Sequence, residues 1–112
     1  MQAMSMGFNE EYAEDAPSID EVTALAGVAV LEFGAPWCGH CQAASAAIKA
    51  VLSQYPEQVH IKVFDGKGKR LGRQFGVKLW PTLILLKEGE EIGRLVRCTT
   101  EQEVRDLLAL TP

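Results

Sequence analysis

Residues 28–41 read VAVLEFGAPWCGHC, and the fold turns on how this stretch changes character halfway along. Val28 to Phe33 is an apolar run rich in β-formers, as in a strand buried on both faces. Pro36 interrupts it, and from Cys38 to about Gln54 the composition becomes helical. Ala44, Ala47, Ile48, Val51 and Leu52 recur at spacings that share one helix face. A cysteine therefore stands where a buried strand hands over to a helix. The first turn of a helix offers free N–H groups and a partial positive charge. Both favour the thiolate of Cys38, the species that attacks a disulfide. Cys41 lies three residues on, within reach around one turn, and can attack the mixed disulfide that results. Gly39 leaves room for a partner backbone. His40, as a cation or as a hydrogen-bond donor to the Cys38 sulfur, would stabilise the reduced form and make the couple more oxidising. Glu32 breaks the apolar run six residues before Cys38. Buried beneath the dithiol, it would serve as general base for Cys41; at an outward position it would have no such role.

The rest of the chain supplies the elements around this stretch. Ser18 with Glu21 forms a capping box for a short helix whose apolar side is Val22, Leu25 and Ala26, ended by Gly27. Tyr55-Pro56 closes the long helix. Val59 to Phe64 alternates as a strand, and Asp65 to Gly68 turns. Lys69 to Phe75 is a short basic helix followed by Gly76. Pro81 precedes a buried strand, Thr82 to Leu86. Taken alone, an X-Pro bond there is expected to be trans, the majority state. Glu88-Gly89 turns into a hairpin partner, Glu91 to Arg97. Thr100 with Glu103 caps a last helix carrying Val104, Leu107, Leu108 and Leu110. Residues 1–16 are weakly patterned, with a marginal strand within Gly7 to Tyr12. Strands alternating with helices, then a hairpin and a helix, predict an α/β architecture with a mixed central sheet. The length of 112 residues suits a single domain over 1–112.

Hydrophobic residues make up 47% and charged residues 23% of the chain. That is the balance of an ordinary globular core, and no apolar run has membrane-spanning length. Residues 1–15 have neither the basic start nor the apolar stretch of a secretory leader, so a cytoplasmic protein is expected. The net charge of −4 gives no bulk reason to bind nucleic acid. The charge is unevenly spread: all basic residues begin at Lys49, and six lie between 62 and 78, namely Lys62, Lys67, Lys69, Arg70, Arg73 and Lys78. They read as a solvated face or as a patch that steers acidic partners. Three cysteines make a structural disulfide framework improbable. One C-x-x-C, even with His40 and Cys98, falls short of a structural zinc pattern.

The segment EFGAPWCGHCQ, Trp80-Pro81-Thr82 about forty residues later, and the terminal hairpin and helix together resemble the thioredoxin superfamily, over roughly Ser18 to Leu110. A lowered C-x-x-C thiol pKa is a known property of that superfamily, so it is no independent reading here. The resemblance implies a thioredoxin fold, a mixed sheet of four to five strands flanked by helices on both faces. It implies Cys38 as nucleophile, Cys41 as resolving thiol, Glu32 as the buried acid and Pro81 as a cis proline facing the dithiol. It also implies that Trp37, Trp80 and Thr82 contact bound substrate chains, with Arg97-Cys98 where the family usually has a Gly-Ala substrate loop. The pair of His40 and Glu32 is similar to protein disulfide isomerase domains. Gly34 stands where many thioredoxins carry a second tryptophan, and Ala46 where a helix proline often lies. The implied function is a protein-disulfide reductase, a monomer without a bound cofactor or metal. It would be recharged by a thioredoxin reductase drawing on NADPH. The alternatives are an oxidase or isomerase, and a binding module with a secondary redox role. Cys98 is either an incidental small residue or a site of glutathionylation or dimer linkage.

Overall fold

A computed structural model describes residues 4–6, 12, 17–55, 58–65, 70–97 and 100–110, the first three by their backbone. The elements are β1 (Met4–Met6), α1 (Ile19–Thr23), β2 (Val28–Gly34), α2 (Gly39–Leu52), β3 (Val59–Phe64), α3 (Leu71–Gln74), β4 (Thr82–Lys87), β5 (Glu90–Val96) and α4 (Glu101–Leu108). They form one five-stranded mixed sheet in the order β1-β3-β2-β4-β5. The apolar run from Val28 is its central strand, parallel to β3 and antiparallel to β4. A strand paired on both edges and covered on both faces has no wet side. This is why every residue of β2 after Val28 is buried.

Successive side chains of a strand point to opposite faces. Val30 faces one core, formed with Ala44, Ile48, Val51 and Leu52 of α2 and with Val104, Leu107 and Leu108 of α4. Leu31 and Phe33 face the other, with Val22 of α1, Leu71 of α3, and Ile61 and Val63 of β3. The same alternation puts Glu32 with Val30, on the α2 side. It puts His60 and Lys62 there too, opposite Ile61 and Val63. The sheet thus carries a polar cluster to the flank of the helix that follows Cys38.

Both expected capping boxes are closed. Ser18 Oγ accepts from Glu21 N at 3.1 Å while Glu21 Oε1 accepts from Ser18 N at 3.0 Å. Thr100 and Glu103 repeat the arrangement at 3.2 and 3.1 Å. Each cap contributes roughly 1 kcal/mol to its helix. In the two-residue turn Glu88-Gly89, φ is 52° at Glu88 and 80° at Gly89. Positive φ at both positions gives the backbone twist that suits a tight hairpin.

Several expectations need correction. The first helix stops at Thr23, so Leu25 and Ala26 lie beyond it, and Ala26 is exposed. Gly27 does not end that helix; its φ of 75° turns the chain into β2, where its carbonyl accepts from Glu88 N at 2.8 Å. The N-terminal strand is Met4–Met6, antiparallel to β3, earlier than the expected stretch, of which 7–11 lie outside the described residues. The basic helix is shorter, Leu71–Gln74, and Lys67, Lys69 and Pro56 also lie outside the description. Leu110 follows α4 and is exposed, resting against Gly93. Lys62 belongs to no solvated face: it is 3% exposed, because β3 is an inner strand. The Trp80–Pro81 bond is cis, as the resemblance implies and against the bare expectation for X-Pro.

Gly89 packs against the backbone carbonyl of Thr23, leaving no space for a Cβ. Gly89→Ala must push α1 from the hairpin and hold alanine at positive φ. It is expected to cost about 2 kcal/mol or more, read as a lower urea midpoint at unchanged slope.

Candidate active site

Cys38 is the N-cap of α2. Its backbone is extended (φ −75°, ψ 120°), and its Sγ accepts from the Cys41 backbone N–H at 3.3 Å. The turn is held from both ends. Cys38 N donates to Ala35 O at 3.1 Å, and Gln42 Nε2 donates to Pro36 O at 2.8 Å. A sulfur replaces the usual serine or aspartate oxygen of a helix cap, so orphan N–H groups of the first turn point at it.

The two free thiols are unequal. For Cys38, burial is the largest single influence and raises the thiol pKa. The hydrogen bond from the Cys41 side chain, the backbone N–H groups of Cys41 and His40, and the charge of Arg97 together outweigh it. The Cys38 pKa is lowered. Cys41 is 2% exposed, and burial, followed by its hydrogen bond to Cys38, pushes it up to about 11. The thiolate is favoured at Cys38 and disfavoured at Cys41. His40 acts on Cys38 through its backbone N–H, and its side chain is exposed. Gly39 is also exposed, with open space where a Cβ would stand.

Around the dithiol, Trp37 is 67% exposed and meets the Phe64 ring edge-on at 5.0 Å. Trp80 is half-buried and donates from Nε1 to Asp65 Oδ2 at 2.9 Å. Burial raises the Asp65 pKa, against the bond from Trp80 and the charge of Arg73. Thr82 is buried, its hydroxyl donating to Leu79 O at 2.6 Å. That side chain braces the loop before Pro81. Arg97 has a φ of 54°. Such a backbone is unusual outside glycine. Arg97 N donates to Pro81 O at 2.8 Å, and its Nε donates to Trp80 O at 3.0 Å. The guanidinium thus fastens the segment after β5 to the proline loop. Cys98 lies outside the described residues.

Glu32 is 1% exposed, as expected for an acid within this run. Its Oε1 lies 2.8 Å from His60 Nε2, and its Oε2 accepts from the Tyr12 hydroxyl at 2.9 Å, with Lys62 Nζ 3.9 Å away. A buried carboxylate without such partners would be costly. His60, Lys62 and Tyr12 were not anticipated from the sequence. The first two had a signal. In parallel pairing Glu32 stands opposite Lys62, and an acid inside an apolar strand calls for a base in the next strand. Tyr12 had none, because its segment carries no pattern. A cleft of about 540 Å³, lined by Tyr12, Ala35, Pro36, Cys41, Gln42, Ser45 and Lys62, reaches the surface at the exposed Pro36 and Gln42. Among the described residues no group of three or more His, Cys, Asp or Glu side chains could hold a metal ion. Among them, too, no helix is long and apolar enough to cross a membrane.

A family model described as Thioredoxin matches residues 13–109. Thioredoxin of Chlamydia muridarum is 36% identical over 70 residues, 62% of this chain and 69% of that one. Thioredoxin 1 of Synechococcus elongatus is 30% identical over 83 residues, 73% and 78% of the two chains. The solved structure of thioredoxin 2 from Pseudomonas aeruginosa PAO1 in its reduced form is 46% identical. It superposes with a TM-score of 0.82 over 92% of this chain and 96% of that one.

The unequal thiols make a measurable contrast. At neutral pH iodoacetamide is expected to alkylate Cys38 and leave Cys41 unmodified, with the Cys38 rate falling as pH drops through its lowered pKa. Arg97→Ala removes a positive charge acting on that sulfur, so its alkylation profile moves to higher pH. Alkylation rate against pH, with the modified residue identified by mass, reads both effects.

Proposed function

This chain belongs to the thioredoxin family of thiol–disulfide oxidoreductases, and we propose that it works as a protein-disulfide reductase with Cys38 as nucleophile. The Cys38 thiolate attacks one sulfur of a partner disulfide. A mixed disulfide forms, and the other partner sulfur leaves with the bonding electrons. Cys41 then gives up its proton, with Glu32 as the base beneath it, and attacks the Cys38 sulfur. The Cys38–Cys41 bond forms, the second partner thiol is released, and the partner has gained two electrons. A thioredoxin reductase drawing on NADPH would return the dithiol. A reducing compartment such as the cytoplasm suits that cycle.

The observation that carries this reading is the paired arrangement of Cys38 and Cys41. Backbone N–H groups lower the pKa of one sulfur, and a buried thiol whose pKa is raised lies one turn away. The exposed Trp37 and Arg97, with the half-buried Trp80 and the buried Pro81 that Arg97 holds, are assigned to partner docking. Gly39 is assigned to close backbone approach. Exposed Leu79 and Val96 extend the apolar part of that surface.

A second reading, oxidase or isomerase, rests on His40. A positive or hydrogen-bonding group beside the thiolate raises the potential, and about 30 mV corresponds to ~1.4 kcal/mol for two electrons. An exposed imidazole is screened by solvent, which favours the reductase.

Reduction of insulin by NADPH and a thioredoxin reductase tests the proposal. Cys38→Ser is expected to abolish turnover, and Cys41→Ser to accumulate a mixed disulfide through Cys38. A Cys38–Cys41 potential near roughly −270 mV supports the reductase, and one near roughly −180 mV the isomerase. A Cys38→Ser protein that reduces insulin at the wild-type rate would sink the mechanism.

A further inference from the structure

Gly34 leaves a gap beside the dithiol that two other side chains share. A Cβ at this position would lie 2.6 Å from Cys41 Sγ, 2.7 Å from the Tyr12 hydroxyl oxygen and 3.1 Å from Tyr12 Cε1. Tyr12 reaches this space from the N-terminal segment, one residue before the stretch matched by the family model begins. Its hydroxyl donates to Glu32 Oε2 at 2.9 Å and shares the space at Gly34 with the Cys41 sulfur. The ring is held in place: Lys62 Nζ sits 4.4 Å from its centroid, a cation over an aromatic face. The other Glu32 oxygen is taken by His60.

A phenol has one proton to give and two lone pairs to accept with. With its proton given to Glu32, Tyr12 has lone pairs free to accept from the Cys41 thiol, and it stands between the two ends of the path a proton must travel. We propose that Tyr12 relays the proton from Cys41 to Glu32 when the mixed disulfide is resolved. This rests on the reading above, in which Cys41 resolves and Glu32 is the base. The Cys41 S–H proton passes to the Tyr12 oxygen as the Tyr12 proton passes to Glu32 Oε2, leaving Tyr12 unchanged. The new Cys41 thiolate attacks the Cys38 sulfur, the Cys38–Cys41 bond forms, and the partner sulfur departs with the electron pair of the broken bond. The proton on Glu32 leaves by the reverse relay to the open cleft once Cys41 is in the disulfide, and neutralises the departing thiolate through solvent.

Among the described residues, the titratable groups facing this path are Glu32 on β2, His60 and Lys62 on β3, and Cys38 and Cys41 at α2. Burial, then the charge of Glu32, holds the Tyr12 pKa above its ordinary value. The hydroxyl thus stays neutral across the working range and conducts a proton without becoming an ion.

Stopped-flow reaction with 5,5′-dithiobis(2-nitrobenzoate) separates the two steps. Attack by Cys38 releases one thionitrobenzoate, and attack by Cys41 on the mixed disulfide releases the second. In Tyr12→Phe, which keeps the ring over which Lys62 sits, the second release is expected to slow about tenfold or more. Its rate should then climb steadily with pH, because solvent base must take the proton. Glu32→Gln slows the same release. Tyr12→Phe added to Glu32→Gln should slow it no further, since both lie on one path. Gly34→Ala places a methyl group between Cys41 and Tyr12 and should reproduce the loss with both side chains present. A wild-type second release and pH profile in Tyr12→Phe, or losses that multiply in the double variant, would overturn the relay while leaving the dithiol reading intact. A wild-type protein that gives only one release overturns both.

Discussion

The Cys38 sulfur accepting the Cys41 N–H at the start of α2 is the contact on which the chemistry depends. A helix N-terminus has backbone donors to spare, and here a thiol takes the place of a capping oxygen. The cap works only if the helix start is immobile relative to the sheet. β2 supplies that stiffness as the central strand, paired on both edges, and α2 is fastened through Ala44, Ile48, Val51 and Leu52 to the core shared with α4. The turn between strand and helix is itself bonded, through Ala35 and Pro36. Little motion is left for the first sulfur, and the second lies buried behind it.

A polar cluster inside the sheet is the other commitment of the fold. Placing a carboxylate, an imidazole and an ammonium group under the dithiol is costly unless each is satisfied. Among the described residues no buried side-chain nitrogen or oxygen lacks a hydrogen-bond partner. Strand alternation sets the arrangement: Glu32, His60 and Lys62 project from neighbouring strands toward α2, while Leu31, Phe33, Ile61 and Val63 fill the opposite core. The open space at Gly34 then admits Tyr12, and the N-terminal segment becomes part of the site.

Much of this was legible in the chain. The two capping boxes, the β2 run, the α2 face and the β4–β5 hairpin rest on local rules, and each formed close to its expected bounds. The acid in the apolar run was legible too, because an isolated charge among β-formers has few explanations. Errors arose where local pattern and global position disagree. The stretch VHIKVF alternates and looks half-exposed. Its strand is an inner one, so His60 and Lys62 are buried.

By itself, the sequence determined the secondary elements, the dithiol at a helix start and the acid beneath it, because capping, periodicity and motif spacing act between residues a few positions apart. Tertiary structure alone decided how deeply Cys41 is buried, which strand is inner, and that Tyr12 meets Glu32 across 20 residues of chain. Burial and long-range hydrogen bonds depend on what packs against a residue, and that partner is set only when the sheet closes over its helices.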